Sequence, residues 1–369
     1  MMMSRVQNSA SLHACVIRLV NLGPAKHEEV AIYAVNQRIP NVCRIVYKIV
    51  IQRILYMYEI IFNPNSRSNN GCSVCDTITK YMKDNNIDYI LHKTKIAGHA
   101  KNIAHEITSD GLPHTIIVIG GDGTLNEVIN GLFNPELITM GLIPSGSGND
   151  FARSCGISTI PLEALNIILN ETNLASINYG EVFMPGCHRR FLISCGCGFD
   201  SEVCRDAQIS PLKPILNKLH IGKFIYTLIA IKKLIRKSTF SAKLLIDNET
   251  KINLDKLFFL TAMNSRYEGG GYMFAPDASL LDNKLDFLTV NNLTRKRIIS
   301  LLPKAKKGKH VGYKGIDIVP ISEVGMKFSK SVSLHTDGEV LGAFDHVRIV
   351  CADKHIKFYM PDNSSINRT

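Results

Sequence analysis

An α/β N-terminal domain with a parallel, doubly wound sheet, followed by an antiparallel second domain, is what this sequence predicts. Three observations carry the prediction. From Tyr58 onward, short apolar strand patterns alternate with helical patterns, as in parallel sheets with helices on both faces. Within that alternation, Ile116-Ile117-Val118-Ile119 runs into Gly120-Gly121-Asp122-Gly123-Thr124 and then into an apolar helical stretch. Beyond Leu162 to Asn170 the helical period gives way to short alternating strands bounded by turn residues, which suits an antiparallel sheet.

The elements follow in order. Glu59-Ile60-Ile61-Phe62 is a first strand, ended by Asn63-Pro64, because proline removes a donor and sets a turn. Cys75 to Asn85 reads as a helix, Tyr89 to His92 as a strand, His99 to Ser109 as a helix and Thr115 to Ile119 as the central strand. Leu125 to Leu132 and Leu162 to Asn170 complete the helices of this half. Ligands of such sheets sit outside the carboxyl ends of the strands. Asn63, Thr94, Gly121 and Ser147 each fall just after a predicted strand, so periodicity places them together. The second half offers strands at Phe183, Phe191 to Cys195, Ala242 to Ile246, Phe258 to Ala262, Leu285 to Val290, Val332 to His335 and Val347 to Cys351. No internal repeat or low-complexity tract is present.

The stretch Ile116 to Glu127 is the chemical centre of the reading. Glycines let the backbone approach an anion because no Cβ intervenes. The helix that follows presents unpaired N–H groups and the positive end of its dipole. Asp122 would repel a bare phosphate, so it makes sense with Mg²⁺ between them or as a base. A second glycine turn, Gly141-Leu142-Ile143-Pro144-Ser145-Gly146-Ser147-Gly148-Asn149-Asp150-Phe151, follows another apolar run. Neither turn ends in Gly-Lys-Ser/Thr, so neither is a P-loop, and neither fits the full dinucleotide fingerprint.

Composition bounds the rest. The chain of 369 residues suffices for two domains, and its formal net charge is +11. That balance suits an anionic membrane surface, nucleic acid or a polyphosphate ligand. The ten cysteines show no regular framework and read as reduced thiols of a cytosolic protein. Cys72 and Cys75 form a C-x-x-C without the second pair that a zinc site needs. Residues 1–56 are an N-terminal extension. Arg44, Lys48 and Arg53 interrupt its longest apolar run, which excludes a transmembrane span there. It lacks the pattern of a signal peptide. A membrane-lying amphipathic helix is one reading of it; translation from a misassigned upstream start is the preferred one. Leu216 to Lys237 reads as a basic, largely apolar helix, either a core helix with a solvated face or a platform on anionic lipid. Lys304, Lys306, Lys307 and Lys309 form a second basic cluster.

The two glycine turns, taken with their companions, resemble the diacylglycerol kinase catalytic-domain family, in its bacterial YegS-like and DgkB-like lipid-kinase branch. Gly120-Gly121-Asp122-Gly123-Thr124 and Pro144-Ser145-Gly146-Ser147-Gly148-Asn149-Asp150-Phe151 carry the resemblance. It extends to Asn63-Pro64-Asn65-Ser66, Gly196-Cys197-Gly198-Phe199-Asp200, Gly269-Gly270-Gly271, Pro276-Asp277-Ala278, Leu285-Asp286 and Asp337-Gly338-Glu339. Gly-Gly-Asp-Gly-Thr alone is not specific, since NAD kinases carry a similar turn.

The resemblance implies a nucleotide-binding α/β domain over 57–173, a β-sandwich lipid-substrate domain over 174–351, and a C-terminal stretch, 352–369, that returns to the first domain. The implied activity is phosphorylation of a lipid hydroxyl with ATP and Mg²⁺, diacylglycerol to phosphatidic acid first. A sphingoid base, ceramide or another lipid alcohol is the same-class alternative. A nucleotide kinase of the NAD type and an inactive lipid- or nucleotide-binding homologue are the others. The implied partner is a lipid at a membrane surface, not nucleic acid; a homodimer is compatible with it, and the location is cytoplasmic and peripheral to the membrane.

The implied site is interdomain. Asn63, Pro64, Asn65, Ser66, Arg67 and Thr94 would line the ATP pocket, with Gly121, Asp122, Gly123, Thr124, Leu125, Asn126, Glu127 and Ser147 around the phosphates. Asp122 and Asp150 would arrange Mg²⁺ and its waters. Glu339 is the expected base on the lipid hydroxyl, with Asp122 its rival. A second, structural Mg²⁺ site would use Asp282 and the main chains around Ser279 and Lys284. Three positions depart from the family pattern. Arg67 replaces a glycine of the nucleotide loop, Asn178 an aspartate of the metal–water network, and Asn283 a glycine of the structural metal loop, where asparagine tolerates positive φ.

Overall fold

The computed structural model describes residues 57–66, 70–170, 173–209 and 239–361. Residues 1–56, Arg67 and Leu216 to Lys237 lie outside the described residues, and so do the readings that rest on them.

The first sheet contains β1 (Tyr58–Phe62), β2 (Tyr89–Lys93), β3 (His114–Gly120), β4 (Ile138–Pro144), β5 (Leu174–Ile177) and β15 (Ile356–Tyr359), in the order β2-β1-β3-β4-β15-β5. All neighbours are parallel except β15 and β5. Ile116 to Ile119 are wholly buried, as a central parallel strand covered on both faces must be. Its helices are α1 (Asn70–Asp84), α2 (His99–Thr108), α3 (Asp122–Gly131), α4 (Asp150–Ser154) and α5 (Pro161–Leu169). Two expected loops are shorter than the glycines suggest. α3 begins at Asp122, so Gly123 and Thr124 stand in its first turn, and Gly141 to Pro144 belong to β4.

The boundary expected after residue 173 falls before β5, which pairs with β15 in the first sheet. The expected strand Phe191 to Cys195 is two strands, β7 (Cys187–Phe191) and β8 (Ser194–Gly198). The cause is local. The amides of Leu192, Ile193 and Ser194 donate to the Asp337 carboxylate instead of to a neighbouring strand.

The second domain is antiparallel throughout. Besides β7 and β8 it contains β6 (Gly180–Met184), β9 (Phe240–Ile246), β10 (Thr250–Met263), β11 (Leu285–Asn291), β12 (Ile316–Ile321), β13 (Glu323–Thr336) and β14 (Glu339–Cys351). β10 and β13 are long and irregular, and each pairs with β9 over one half and β8 over the other. The pairing β8-β10-β9-β13-β8 therefore closes on itself around one core, which includes Leu244, Leu260, Leu334 and Ile349. α6 (Phe199–Ile209) follows β8, and α7 (Arg295–Ala305) packs Ile298 and Leu301 with Phe259 and Leu288 on a second apolar cluster. α7 takes in Lys304 of the second basic cluster, and Lys306 is its C-terminal cap.

Candidate active site

The carboxyl ends of the first sheet build a cradle. Asn63, after β1, donates from Nδ2 to Thr124 Oγ1 at 3.2 Å and accepts from the Asn65 amide at 3.0 Å. Ser66 Oγ meets Ser145 Oγ at 2.7 Å, which joins the end of β1 to the end of β4. Buried Thr94, after β2, donates its amide to Phe62 O. Gly121 and Gly146 touch backbone to backbone: a Cβ on Gly121 would lie 2.8 Å from Gly146 Cα. α3 has no side-chain cap at its N-terminus, and a Cβ on Gly123 would meet nothing within 4 Å. The first turn is thus uncapped with open space beside Gly123, an arrangement that can receive an anion.

Asp122 accepts from the amides of Asp150 and Phe151 at 3.0 and 3.2 Å, so the first loop anchors the start of α4 in the second. Asp150 accepts from Arg153 Nη1 at 2.6 Å and from the Gly270 amide at 2.7 Å, which brings the Gly269-Gly270-Gly271 turn of the second domain onto α4. Burial pushes the Asp122 carboxyl up despite three backbone donors and Arg153. Burial and the Asp122 charge lift Asp150 to about 6. The pair leans toward Gly148, where a Cβ would lie 3.0 Å from Asp122 Oδ2 and 3.7 Å from Asp150 Oδ2. Two neighbouring, mutually repelling carboxylates, Asp150 buried and Asp122 half-buried, are a donor set that fits a hard divalent cation.

The turn between β13 and β14 faces α3. Asp337, in left-handed backbone, accepts from three amides, those of Leu192, Ile193 and Ser194, and from Asn126 Nδ2. Glu339 opens β14 with its side chain half-exposed and pairs with Arg189 of β7. Arg189 also donates to Asn126 Oδ1 at 3.3 Å. Asn126 therefore touches both Asp337 and the partner of Glu339. Sequence reasoning missed Arg189, and it placed Asp337 only within the Asp337-Gly338-Glu339 motif, without a role. Only the period of β7, which turns Arg189 toward β14, could have pointed to the former.

Several expected site residues have other work. The side chain of Leu125 is in the core, 1 % exposed, so only its main chain is available to a ligand. Glu127 accepts from the Ala100 amide at 3.1 Å and caps α2 instead of facing the cradle. Asn126 bridges domains, as above. Ser147 is exposed at the tip of the second loop.

The loop at 279–284 packs Leu280 into the core of the first domain. Ser279 Oγ accepts from Leu281, Asp282 Oδ1 accepts from Lys284, and Asn283 has φ +61°. Burial, then Asp282 and Asp277, lift Asp286 to about 6. The oxygen-rich, acidic surroundings fit a hard cation. Asn178 is fully buried beside this loop. Its Nδ2 donates to Asn264 Oδ1 at 2.6 Å and Lys284 O at 3.4 Å, and its Oδ1 accepts from Asn283 at 3.4 Å. An amide can satisfy all three; a carboxylate could not donate.

Among the described residues, Asp200, Cys204 and His335 form the one group of three potential metal ligands whose atoms lie within 4.8 Å of one another. It does not offer an imidazole lone pair. The Nε2 proton of His335 is held by Asp200 Oδ2 at 2.7 Å, so that nitrogen has no lone pair free for a metal.

A two-domain fold with a glycine-loop helix facing a carboxylate turn across the domain junction has the parts that phosphoryl transfer needs. Two family models match the chain: the diacylglycerol kinase catalytic domain over residues 58–182 and the YegS C-terminal NAD kinase beta sandwich-like domain over 194–354. A diacylglycerol kinase of Bacillus subtilis is 29% identical over 305 residues, 82% of this chain and 96% of that protein. A diacylglycerol kinase of Staphylococcus carnosus is 24% identical over 304 residues, 82% and 94% of the two chains. The crystal structure of a diacylglycerol kinase from Bacillus anthracis superposes with a TM-score of 0.64 at 22% identity, covering 84% of this chain and 98% of that one. The chain belongs to the diacylglycerol kinase catalytic-domain family, in the branch with a YegS-type second domain, and is a lipid kinase.

Proposed function

We propose that this kinase transfers the γ-phosphoryl group of ATP, with Mg²⁺, to the hydroxyl of diacylglycerol at a membrane surface. The uncapped, open N-terminus of α3, tied through Asn126 to the turn that carries Glu339, is the observation that supports this reading. The amides of Gly123 and Thr124 would bind phosphate, and Asn63, Ser66 and Thr94 would shape the nucleotide's side of the cradle. Asp122 and Asp150 would hold Mg²⁺, which when bound neutralises charge on the transferring group. Glu339 accepts the proton of the lipid hydroxyl as its oxygen attacks phosphorus. Arg189 keeps that carboxylate turned toward α3 until the substrate arrives. The acidic loop around Asp282 would take a structural cation.

The lipid class is read from the names of the relatives, which are diacylglycerol kinases. The deciding experiment offers γ-labelled ATP and Mg²⁺ with vesicles containing diacylglycerol, a sphingoid base or ceramide, and separately with NAD. Labelled phosphatidic acid is the expected product. Label on NAD alone, or on no acceptor, would overturn the reading.

A further inference from the structure

The outer face of the second domain carries a groove of about 720 Å³ across β6, β9, β10, β13 and β14. Two cross-strand rows line it. In one, Lys243, Lys327 and His346 stand directly opposite one another on β9, β13 and β14. In the other, Lys251, Leu245, Gly325, Arg348 and Phe183 succeed one another over five strands. The alternate positions Leu244, Met326 and Val347 are buried in the core, so the pleat sends Lys243, Lys251, Lys327, Arg348 and the His346 ring outward. Gly325 leaves the middle of the face open.

Like charges directly opposed on a sheet work against folding. Arg348 is offset by Glu323, and the His346 ring is hydrogen-bonded to Asp345. No carboxylate among the described residues forms an ion pair with Lys243, Lys251 or Lys327. A face that holds uncompensated cations in register is complementary to a surface of repeated negative charge.

We infer that this face docks the protein on an anionic phospholipid bilayer. The proposal rests on the reading that the substrate lies in a membrane, and it assigns the surface that meets that membrane. The chain's own residues 210–238 do not complement the groove, because they contain lysines and an arginine but no aspartate or glutamate. A single-stranded nucleic acid would need aromatic faces for its bases, and a duplex, which needs only cations for its phosphates, is the competitor in the test below. The one aromatic ring here, Phe183, is stacked on His188 at 4.6 Å and covered by Arg348 at 6.0 Å. Clustered lysines near lipid phosphates each add to binding and are screened by salt.

The test uses the full chain and vesicles of phosphatidylcholine alone or mixed with phosphatidylglycerol. Wild-type protein should sediment with the mixed vesicles, less so as salt rises, and not with the neutral ones. Lys327→Glu places a carboxylate between Lys243 and His346. It should raise Tm while weakening binding to the mixed vesicles about tenfold or more. Lys251→Gln, which removes a charge without making a pair, should weaken binding with Tm unchanged. Unchanged sedimentation of both variants would overturn the proposal, as would a fall in Tm of Lys327→Glu. Binding to an RNA duplex in preference to the mixed vesicles would overturn it as well. Phosphorylation of short-chain diacylglycerol in neutral detergent micelles is the separate control. Lys327→Glu should match wild type there, whereas no product from either protein would sink the kinase reading and leave the sedimentation result standing.

Discussion

Asn126 Nδ2 donates to Asp337 Oδ2 at 2.8 Å, which ties the helix of the glycine loop to the turn of the second domain. The contact spans 211 positions of sequence. On one side stands the open end of α3, and on the other Glu339, two residues beyond Asp337. Burial pushes the Asp337 carboxyl up, and the amides of Leu192, Ile193 and Ser194 together with Asn126 counter it. Asp337→Asn keeps the shape but turns an NH₂ toward groups that are all donors. The expected loss of stability is about 3 kcal/mol, read as a lower denaturation midpoint. Asn126→Ala takes from Asp337 one donor of four. It should cost less stability but lower kcat, because Arg189 also loses a partner. Equal midpoints for wild type and Asp337→Asn would show that the turn does not depend on this carboxylate.

Glu339 is the assigned base, and Glu339→Gln retains its size without its basicity. A positioned carboxylate typically contributes about 10² to 10⁴ in rate. We expect kcat to fall by about 10² or more while the Kd for ATP stays the same. Asp122→Asn should behave differently. Asp122 holds the amides of α4, so its loss should also lower Tm and Mg²⁺ affinity. Near-full turnover by Glu339→Gln would pass the role of base to Asp122.

Much of this arrangement was legible in the sequence, and for identifiable reasons. Parallel strands buried on both faces read as apolar runs, so β1, β3 and the helices between them stood out. The glycines marked the cradle because Gly121 and Gly146 touch backbone to backbone. Other features were not legible, since they depend on partners far along the chain. Nothing near Glu127 announces that its carboxylate caps α2 through Ala100. Nothing in Leu192-Ile193 shows that a carboxylate from Asp337 interrupts the strand there. Asn178 looked like a lost metal ligand, whereas its surroundings require a donor as well as an acceptor.

That last finding reverses a simple expectation for Asn178→Asp. A restored carboxylate would face Asn264 Oδ1 and Lys284 O with no proton to give. In metal-free buffer the variant should lose about 1–3 kcal/mol of stability. Added Mg²⁺ should recover part of that loss if a cation binds the adjacent loop at 279–284. An unchanged midpoint in chelator would show that the amide is not needed as a donor.

His335 and Glu268 give the protein a pH dependence of their own, next to the Gly269-Gly270-Gly271 turn that meets Asp150. Burial disfavours the imidazolium of His335, but Asp200 at 2.7 Å outweighs it, and the ring is lifted to about 9. Burial, then the Asp200 charge, lift Glu268 to about 8. Both values lie above those of the unfolded chain. The unfolded state therefore releases these protons first, and stability falls as pH rises from about 4.5 toward about 9. Glu268→Gln removes the buried carboxylate, while its side-chain oxygen can still accept from Ser194 Oγ. Its Tm should exceed that of wild type near pH 8 and match it near pH 4, as followed by thermal scans across that range. A parallel pair of Tm–pH curves would contradict the assignment.

The two glycines of the first loop separate packing from binding. Gly121 has ordinary extended backbone, φ −108°, so its need for glycine is one of space. A methyl there would press on Gly146 Cα at 2.8 Å, a backbone atom that cannot turn aside. Gly121→Ala should cost about 1–3 kcal/mol, as overpacking does, and lower Tm with or without nucleotide. Gly123 is the opposite case. It lies inside the first turn of α3, and a methyl added there would meet nothing within 4 Å. Alanine in a helix is favoured over glycine by about 0.5–1 kcal/mol, so Gly123→Ala should hold or raise Tm. The methyl would nevertheless stand in the space that phosphate oxygens need beside the amides of Gly123 and Thr124. We expect ATP affinity, measured by calorimetry, to drop about tenfold or more while the fold gains stability. A Gly123→Ala protein that binds ATP as tightly as wild type would place the nucleotide's phosphates somewhere other than the N-terminus of α3.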